Sequence, residues 1–521
     1  MLSLALVVPC ITYPKVPNPL LHVFKYGRPM RHCEQGHYRI LIIGAGFSGL
    51  ALGLRLLERG EHSFLILDKA NGIGGTWWVN RYPGCACDVQ SHLYSLSFVP
   101  KPDWSSQFAP RAEIQAYLEG AARERGLMPH IRLNTSVAKA EWDEQRRRWQ
   151  LRDTDGRVYS SDLLVPALGG LSRPKIPNIP GLEDFSGKVV HSQQWPEDLD
   201  LQGKRVAVIG CGASAIQFVP RIQSEVERLD LYQRTPQWIL PKPDGPIPNW
   251  KQKLYRAFPP ARLLTRLGLY LLLESRLPAF NRYPALSWLH RRMAGRYLAR
   301  QVSDPELREK LKPNYAMGCK RVLMSNDFYP ALTRNNVEVI TDGIQAVDKQ
   351  AIIDNTGRRR EIDIILLATG FRATEPVPAG LIQGREGLDL ADCWRQGPEA
   401  FMGTSVHGFP NLFMLLGPNT ALGHNSVLLM IESQINYLLS MLDQHQALGR
   451  PAFEVKPSSQ QQWNNDIQRR LRRTVWNSGG CSSWYLHPVS GRNATLWPGH
   501  TWHFRRLSRR FKRQDYFTED S

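Results

Sequence analysis

The chain has 521 residues, 42% hydrophobic and 22% charged, an ordinary globular composition that excludes general disorder and collagen-like repeats. That length holds two or three domains, each with its own core. A net charge of +19 admits nucleic acid, acidic lipid or phosphate-bearing small ligands as partners, although much of it sits in clusters at Arg291-Arg292, Arg469 to Arg473 and Arg505 to Arg513. The last cluster reads as a solvated basic tail over 506–521. The eight cysteines are scattered with no CxxC pair, so neither a zinc cage nor a redox pair is expected, and they read as reduced thiols of a cytoplasmic protein. Cys85 and Cys87 form an incidental CxC, and no metal site is expected.

Residues 1–36 begin with a short apolar run, Leu2 to Val8, too brief to span a membrane. They continue rich in proline and read as a poorly ordered extension. Tyr38 to Ile43 is a buried-strand pattern, followed at once by Gly44-Ala-Gly46-Phe-Ser-Gly49. Leu50 to Arg59 reads as an amphipathic helix, and Ser63 to Leu67 as a second strand with Asp68 at its end. This is a βαβ unit with the dinucleotide fingerprint: glycines for the tight turn, for close approach of a pyrophosphate and for helix–strand packing, and an acid for a ribose hydroxyl.

A second unit repeats the arrangement. Val206 to Ile209 is the strand, Gly210-x-Gly212-x-x-Ala215 the turn, Ile216 to Val226 the helix and Arg228 to Tyr232 the next strand. Arg234 then stands where Asp68 stands in the first unit, at the same distance from its first glycine. An acid there suits a free 2′-hydroxyl, and an arginine suits a 2′-phosphate. The first site is therefore expected to hold an FAD-type or NAD-type nucleotide and the second NADPH, which implies hydride transfer between two cofactors. Strands ending Ala167-Leu168-Gly169 and, after Glu361 to Leu367, Ala368-Thr369-Gly370 mark the two crossings between domains.

The fold expected is α/β, with two Rossmann-like dinucleotide-binding domains. The first occupies 37–170 and returns at 361–505 with a C-terminal substrate-lining segment; the second occupies 171–360. Residues 245–315 break the α/β rhythm between proline-rich flanks. There Leu263 to Leu273 is strongly apolar with Arg262, Arg266 and Arg276 around it. It reads as a helical insertion packed on the second domain, with weak contact to a membrane surface as the alternative.

Two further motifs carry a family resemblance. Phe185, Gly187, His191, Trp195 and Pro196 fill F-x-G-x-x-x-H-x-x-x-W-P. Gly74, Gly75, Trp77, Tyr82, Pro83, Gly84 and Asp88 fill G-G-x-W-x-x-x-x-Y-P-G-x-x-x-D. In these, over about residues 37–505, the chain resembles the Baeyer–Villiger monooxygenases; nitrogen- and sulfur-oxidising flavin monooxygenases, which have Tyr in place of Trp195, are the alternative. The resemblance implies FAD on Gly44, Gly46, Gly49 and Asp68, with Thr76, Trp77, Trp78, Val79, Asp88 and Tyr94 near the flavin and Val137 at the adenine end. It implies NADPH on Gly210, Cys211, Gly212, Ala213, Ser214, Ala215, Ile216 and Gln217, with Arg234, Thr235 and Lys320 on its phosphates. Arg321 would be the catalytic arginine, held by Asp88, and a C4a-peroxyflavin would turn a small-molecule ketone and O2 into an ester or lactone. Gly417-Pro418-Asn419 and Trp476 to Trp484 would line the substrate. His191 reads as a buried linker residue outside the chemistry, and no nucleic acid is expected as a partner.

Overall fold

The computed structural model describes residues 36–281 and 287–519, so nearly all of the expected N-terminal extension lies outside the described residues. The hydrophobic run His37–Ile43 forms a strand that pairs in parallel with Phe64–Leu67 on one side and Val158–Pro166 on the other. These lie in a seven-stranded sheet whose far side is antiparallel, through Val137–Asp143 and Arg148–Asp153. The helix Phe47–Glu58 springs directly from the glycine turn, three residues earlier than the sequence pattern suggests, and buries Leu50, Leu54 and Leu56 against the sheet. Late residues complete this core: Phe413, Leu428, Tyr437 and Phe453 pack with Ile40, Ile42 and Phe64.

A second sheet has five parallel strands in the order Val337–Ile340, Arg228–Tyr232, Arg205–Ile209, Ile364–Leu367 and Lys188–His191. All-parallel strands buried on both faces read as continuous Val, Ile and Leu runs, as these do. Its helix Ala215–Ile222 ends four residues sooner than expected, two residues after Pro220. The expected strand Glu361 to Leu367 divides. Arg359–Glu361 joins a three-stranded antiparallel sheet, and Ile364–Leu367 joins the parallel one. Between them Asp363 accepts from the Arg205 backbone N–H (2.7 Å) and its guanidinium (2.8 and 3.1 Å), which turns the chain there.

Two expectations need correction. The insertion does not pack on the second domain alone. In its first half, Arg266 donates to His92 O and Ser95 O (2.7 and 3.0 Å), while Ile247 and Leu273 enter the first core. Its later part packs on the second core, through Leu298 of the helix Ser287–Gln301 and through Val302 and Leu311. Of the expected tail, residues 506–519 are described and are not free. Phe511 and Tyr516 are buried, and Tyr516–Glu519 pairs antiparallel with Ala452–Val455. The apolar residues between the arginines anchor the segment. Among the described residues no helix is long and apolar enough to cross a membrane, and no cluster could hold a metal ion.

Candidate active site

The two glycine turns are built alike. Gly44 N–H donates to Leu67 O (2.8 Å) and Gly210 N–H to Tyr232 O (3.0 Å). Both glycines have positive φ, and a Cβ on either would sit 2.5 Å from a carbonyl oxygen, that of Ala167 or of Ala368. The strands ending Ala167-Leu168-Gly169 and Ala368-Thr369-Gly370 thus close on the two turns in the same way. The helices that follow have no side-chain cap and no acidic residue in their first turn, which leaves their first N–H groups for an anion. A Cβ on Gly49 would lie 1.9 Å from Gly44 O, whereas the second unit accepts Ala215.

Asp68 stands at the end of its strand and accepts from Ala45 N–H (2.6 Å) and Ala70 N–H (2.8 Å), fixing the rim of the first turn. Thr135 N–H donates to Asp68 O (2.8 Å), which sets Val137 beside that rim. Gly74 N–H donates to Ala45 O, and a Cβ on Gly75 would lie 2.9 Å from Gly46 Cα. The short helix Thr76–Val79 is therefore laid against the turn. Trp77 is buried and donates to the Tyr94 hydroxyl (3.2 Å), while Trp78 stacks under Arg81 at 4.5 Å.

At the second turn Arg234 is exposed and, among the described residues, has no ion pair. Its charge reaches Lys320, whose ammonium burial already lowers below its ordinary value. The Lys320 ammonium stands 5.2 Å from the Tyr315 ring centroid, and two cations near enough to feel one another suit a phosphate. Burial pushes the Cys211 thiol up to about 11, and its Sγ donates to Thr235 O (3.2 Å). Gln217 departs from expectation. Its amide accepts from the Tyr82 hydroxyl (2.9 Å) and donates to Ala86 O (3.0 Å), so it faces the other nucleotide unit rather than the second turn.

Arg321, next to Lys320, points the opposite way. Its Nε donates to Asp88 Oδ2 at 2.5 Å and its Nη1 reaches Leu422 O at 3.4 Å. The Asp88 carboxylate raises the guanidinium above its already high ordinary value, against the opposing effect of burial. Tyr485 lies beside this pair, its hydroxyl pushed up to about 12 by burial. Sequence reasoning missed Tyr485, although the aromatic run ending at Trp484 adjoins it. It also read all cysteines as thiols, whereas Cys319 and Cys481 are joined as a disulfide with Cα atoms 6.2 Å apart. No local spacing reveals a pair 162 residues apart.

The two linker motifs meet inside the second core. Trp195 and Tyr82 both pack on Phe218, at 5.3 and 5.9 Å between ring centroids. His191 accepts from Gln193 N–H at Nδ1 and donates from Nε2 to Gly370 O (3.1 Å), and burial keeps its pKa below the ordinary value. It is a neutral strut between linker and crossing. The residues present thus fit a flavin dinucleotide at the first turn and a 2′-phosphorylated dinucleotide at the second.

Comparison with known proteins agrees with this geometry. The flavin-binding monooxygenase-like family matches residues 37–379. A Baeyer–Villiger monooxygenase of Pseudomonas aeruginosa is 53% identical over 93% of this chain and 91% of its own. Another, of Streptomyces coelicolor, is 45% identical over 92% of each chain. The crystal structure of cyclohexanone monooxygenase from Rhodococcus sp. Phi1 bound to NADP+ superposes with a TM-score of 0.82, at 26% identity, over 93% of this chain and all of that one.

Proposed function

Because the chain belongs to the flavin-binding monooxygenase-like family, and within it to the Baeyer–Villiger monooxygenases, we propose that Arg321, gripped by Asp88, is the fixed cation on which its oxygen insertion depends. The enzyme uses FAD, NADPH and O2 to place an oxygen atom beside a ketone carbonyl, giving an ester or lactone. When bound, FAD reduced by NADPH supplies the activated oxygen. The alternative, oxidation of nitrogen or sulfur, gives way because the relatives are named for the ketone reaction.

The single observation carrying the proposal is the ion pair itself. Asp88 comes from the first nucleotide unit and Arg321 from the second, 233 residues apart, and the pair sits where Leu422 and Tyr485 of the C-terminal segment close over it. A guanidinium does not lose its proton near neutral pH, so it holds a full positive charge beside an anionic oxidant and beside the oxyanion that develops on the substrate carbonyl. Asp88 fixes the plane of the fork by binding Nε, which leaves Nη2 and the second Nη1 proton to face the reacting oxygen. Buried Tyr485 stands beside that charge on one side, and the pair itself stays partly open to solvent, where substrate would reach it.

In the same reading, Arg234 and Lys320 take the 2′-phosphate of NADPH, and Gly210 to Ile216 cradle its pyrophosphate. Lys320 and Arg321 are consecutive, so one short segment touches both cofactors. The reading includes a cytoplasmic enzyme and loose contact of the insertion with a membrane surface, supported by the outward leucines of its helix Pro259–Glu274. The test is Arg321→Ala: NADPH should still reduce the flavin, while ester formation stops and the consumed NADPH appears as H2O2. Retained ester formation would reject the role.

A further inference from the structure

The helix Pro259–Glu274 is inside out. At 100° per residue, Leu263, Leu264, Leu267, Leu271 and Leu272 share one half of its surface with Gly268, and every one of these leucines is at least 50% exposed. Arg266 turns inward instead and binds the carbonyls of His92 and Ser95, while Glu274, at the end of the helix beyond the leucines, is buried under Thr501 and accepts from its Oγ1 (2.6 Å). A surface helix ordinarily does the reverse. Trp250 and Phe258, each more than half exposed, precede the leucines, and the helix Asn249–Ala257 that carries Trp250 packs on this one. An uninterrupted outward apolar face of this extent marks an interaction surface.

A cationic cleft adjoins it. Where this helix ends, the helix Thr501–Leu507 begins, with the Thr501 hydroxyl 3.2 Å from that of Tyr270. A cavity of about 800 Å³ opens there, lined by Arg55, Arg59, Trp502, Arg505, Arg506 and Arg509 together with the carboxylates of Glu58 and Asp443. Arg55 and Arg59 are paired, with Glu58 and Asp443. Among the described residues Arg505, Arg506 and Arg509 have no ion pair. An exposed tryptophan with three uncommitted guanidinium groups suits a phosphate-bearing headgroup at a polar–apolar boundary.

Building on the surface contact proposed for the insertion, we propose that this leucine face and arginine cleft form one two-part docking site for a bilayer containing acidic phospholipid. The leucines enter the acyl boundary and the arginines take headgroup phosphates. Neither part suffices alone: one short apolar face binds a membrane only marginally, and cations alone are screened by salt. Charge complementarity is what selects a bilayer over a second copy of this chain, because two copies would oppose the same arginines.

The test uses the full-length, FAD-loaded enzyme and co-sedimentation with vesicles of phosphatidylcholine alone or with about a third phosphatidylglycerol. Binding to the acidic vesicles should be at least roughly tenfold tighter and should weaken as NaCl is raised. The combined variant Arg505→Gln, Arg506→Gln and Arg509→Gln should lose that preference, by roughly a hundredfold in affinity, with ketone turnover in solution unchanged. The combined variant Leu264→Glu, Leu267→Glu and Leu271→Glu should lose both vesicles. Equal binding of wild type to the two vesicles, or an unchanged preference in the arginine variant, would each overturn the cleft's part and leave the simpler contact standing. Absence of binding to any vesicle, or a concentration-dependent dimer that the leucine variant abolishes, would overturn the contact as well.

Discussion

Replacing Cys319 by Ser severs the one covalent link between the segment that carries Lys320 and Arg321 and the C-terminal run that carries Tyr485. The bond spans 162 residues of sequence. Chain-entropy bookkeeping for a loop of that length gives about 17 cal/mol/K, or about 5 kcal/mol at 25 °C, of destabilisation of the unfolded chain. The native side does not reorganise to form it. Gly479 O already accepts from Ala316 N–H (3.0 Å), and a Cβ on Gly479 would touch Cys319, so the two strands of chain are pressed together without the bond. Spread over the unfolding entropy of a chain this size, about 1 kcal/mol/K, the loss corresponds to a fall in Tm of about 5 °C. The assay is thermal unfolding of Cys319→Ser and wild type without reductant, followed by release of flavin fluorescence, with Cys393→Ser as a control at an exposed thiol. Peptide mapping without reduction should join the peptides of Cys319 and Cys481. Because Cys319 is buried, dithiothreitol should convert wild type to the low-Tm form slowly in the folded state and quickly in denaturant. Free thiols at both positions in protein never exposed to reductant, or a variant within about 1 °C of wild type, would refute the reasoning.

Arg234→Ala should raise the KM for NADPH by about 10- to 150-fold, the worth of charge-assisted hydrogen bonds, and barely change that for NADH; an equal effect on both would remove Arg234 from phosphate recognition. Asp88→Asn should leave flavin reduction by NADPH intact and lower ester yield roughly a hundredfold, with H2O2 rising to match, because the Arg321 fork keeps its charge and loses its anchor; unchanged coupling would contradict the positioning role. Burial, with the Arg234 charge adding, holds the Lys320 pKa below 10.5 in the free protein. A bound 2′-phosphate favours the protonated form and raises that pKa. NADPH affinity is therefore full below the lowered value and falls as pH rises through it, on the alkaline side of neutrality. Titrating NADPH binding by fluorescence from about pH 7 to about pH 10 should show this decline, absent for NADH and flattened in Lys320→Met; parallel curves for both cofactors would defeat it.

The parts of the molecule legible in the sequence are those whose cause is local. A strand, a turn of three glycines or of two glycines and an alanine, and a residue just past the next strand specify each nucleotide turn within about 25 residues, and the steric reasons at Gly44 and Gly210 are the same. What escaped depends on distant partners. Tyr485 meets Arg321 only through the fold, and Cys481 meets Cys319 likewise. Gln217 lies on the fingerprint, so spacing assigns it to the second nucleotide; but it sits on the helix face turned to Tyr82, and periodicity does not tell which neighbour occupies that side. The leucines of Pro259–Glu274 mislead for a related reason. An apolar run signals a surface that avoids water, and the sequence does not say whether protein or something else covers it. The arginines of 505–513 suggest a tail by charge alone, while Phe511 and Tyr516, two residues in a basic run, decide that the segment is anchored.

The joint between the nucleotide units then explains why the two long motifs coexist. Tyr82 of one and Trp195 of the other converge on Phe218, and Gln217, the preceding residue, ties Tyr82 and Ala86 to the helix Ala215–Ile222. That helix starts at the second glycine turn, and the segment running on from Tyr82 ends at Asp88, the anchor of Arg321. Gln217 and Tyr82 thus join that helix to the segment that carries the Asp88 carboxylate. Lys320 offers a second link, since it adjoins Arg321 in the chain and feels Arg234 in space. The fixed residues of the motifs are thus packing and hydrogen-bonding parts of the joint between the two units, and His191, held neutral and buried, is a strut there where acid–base work would need it open.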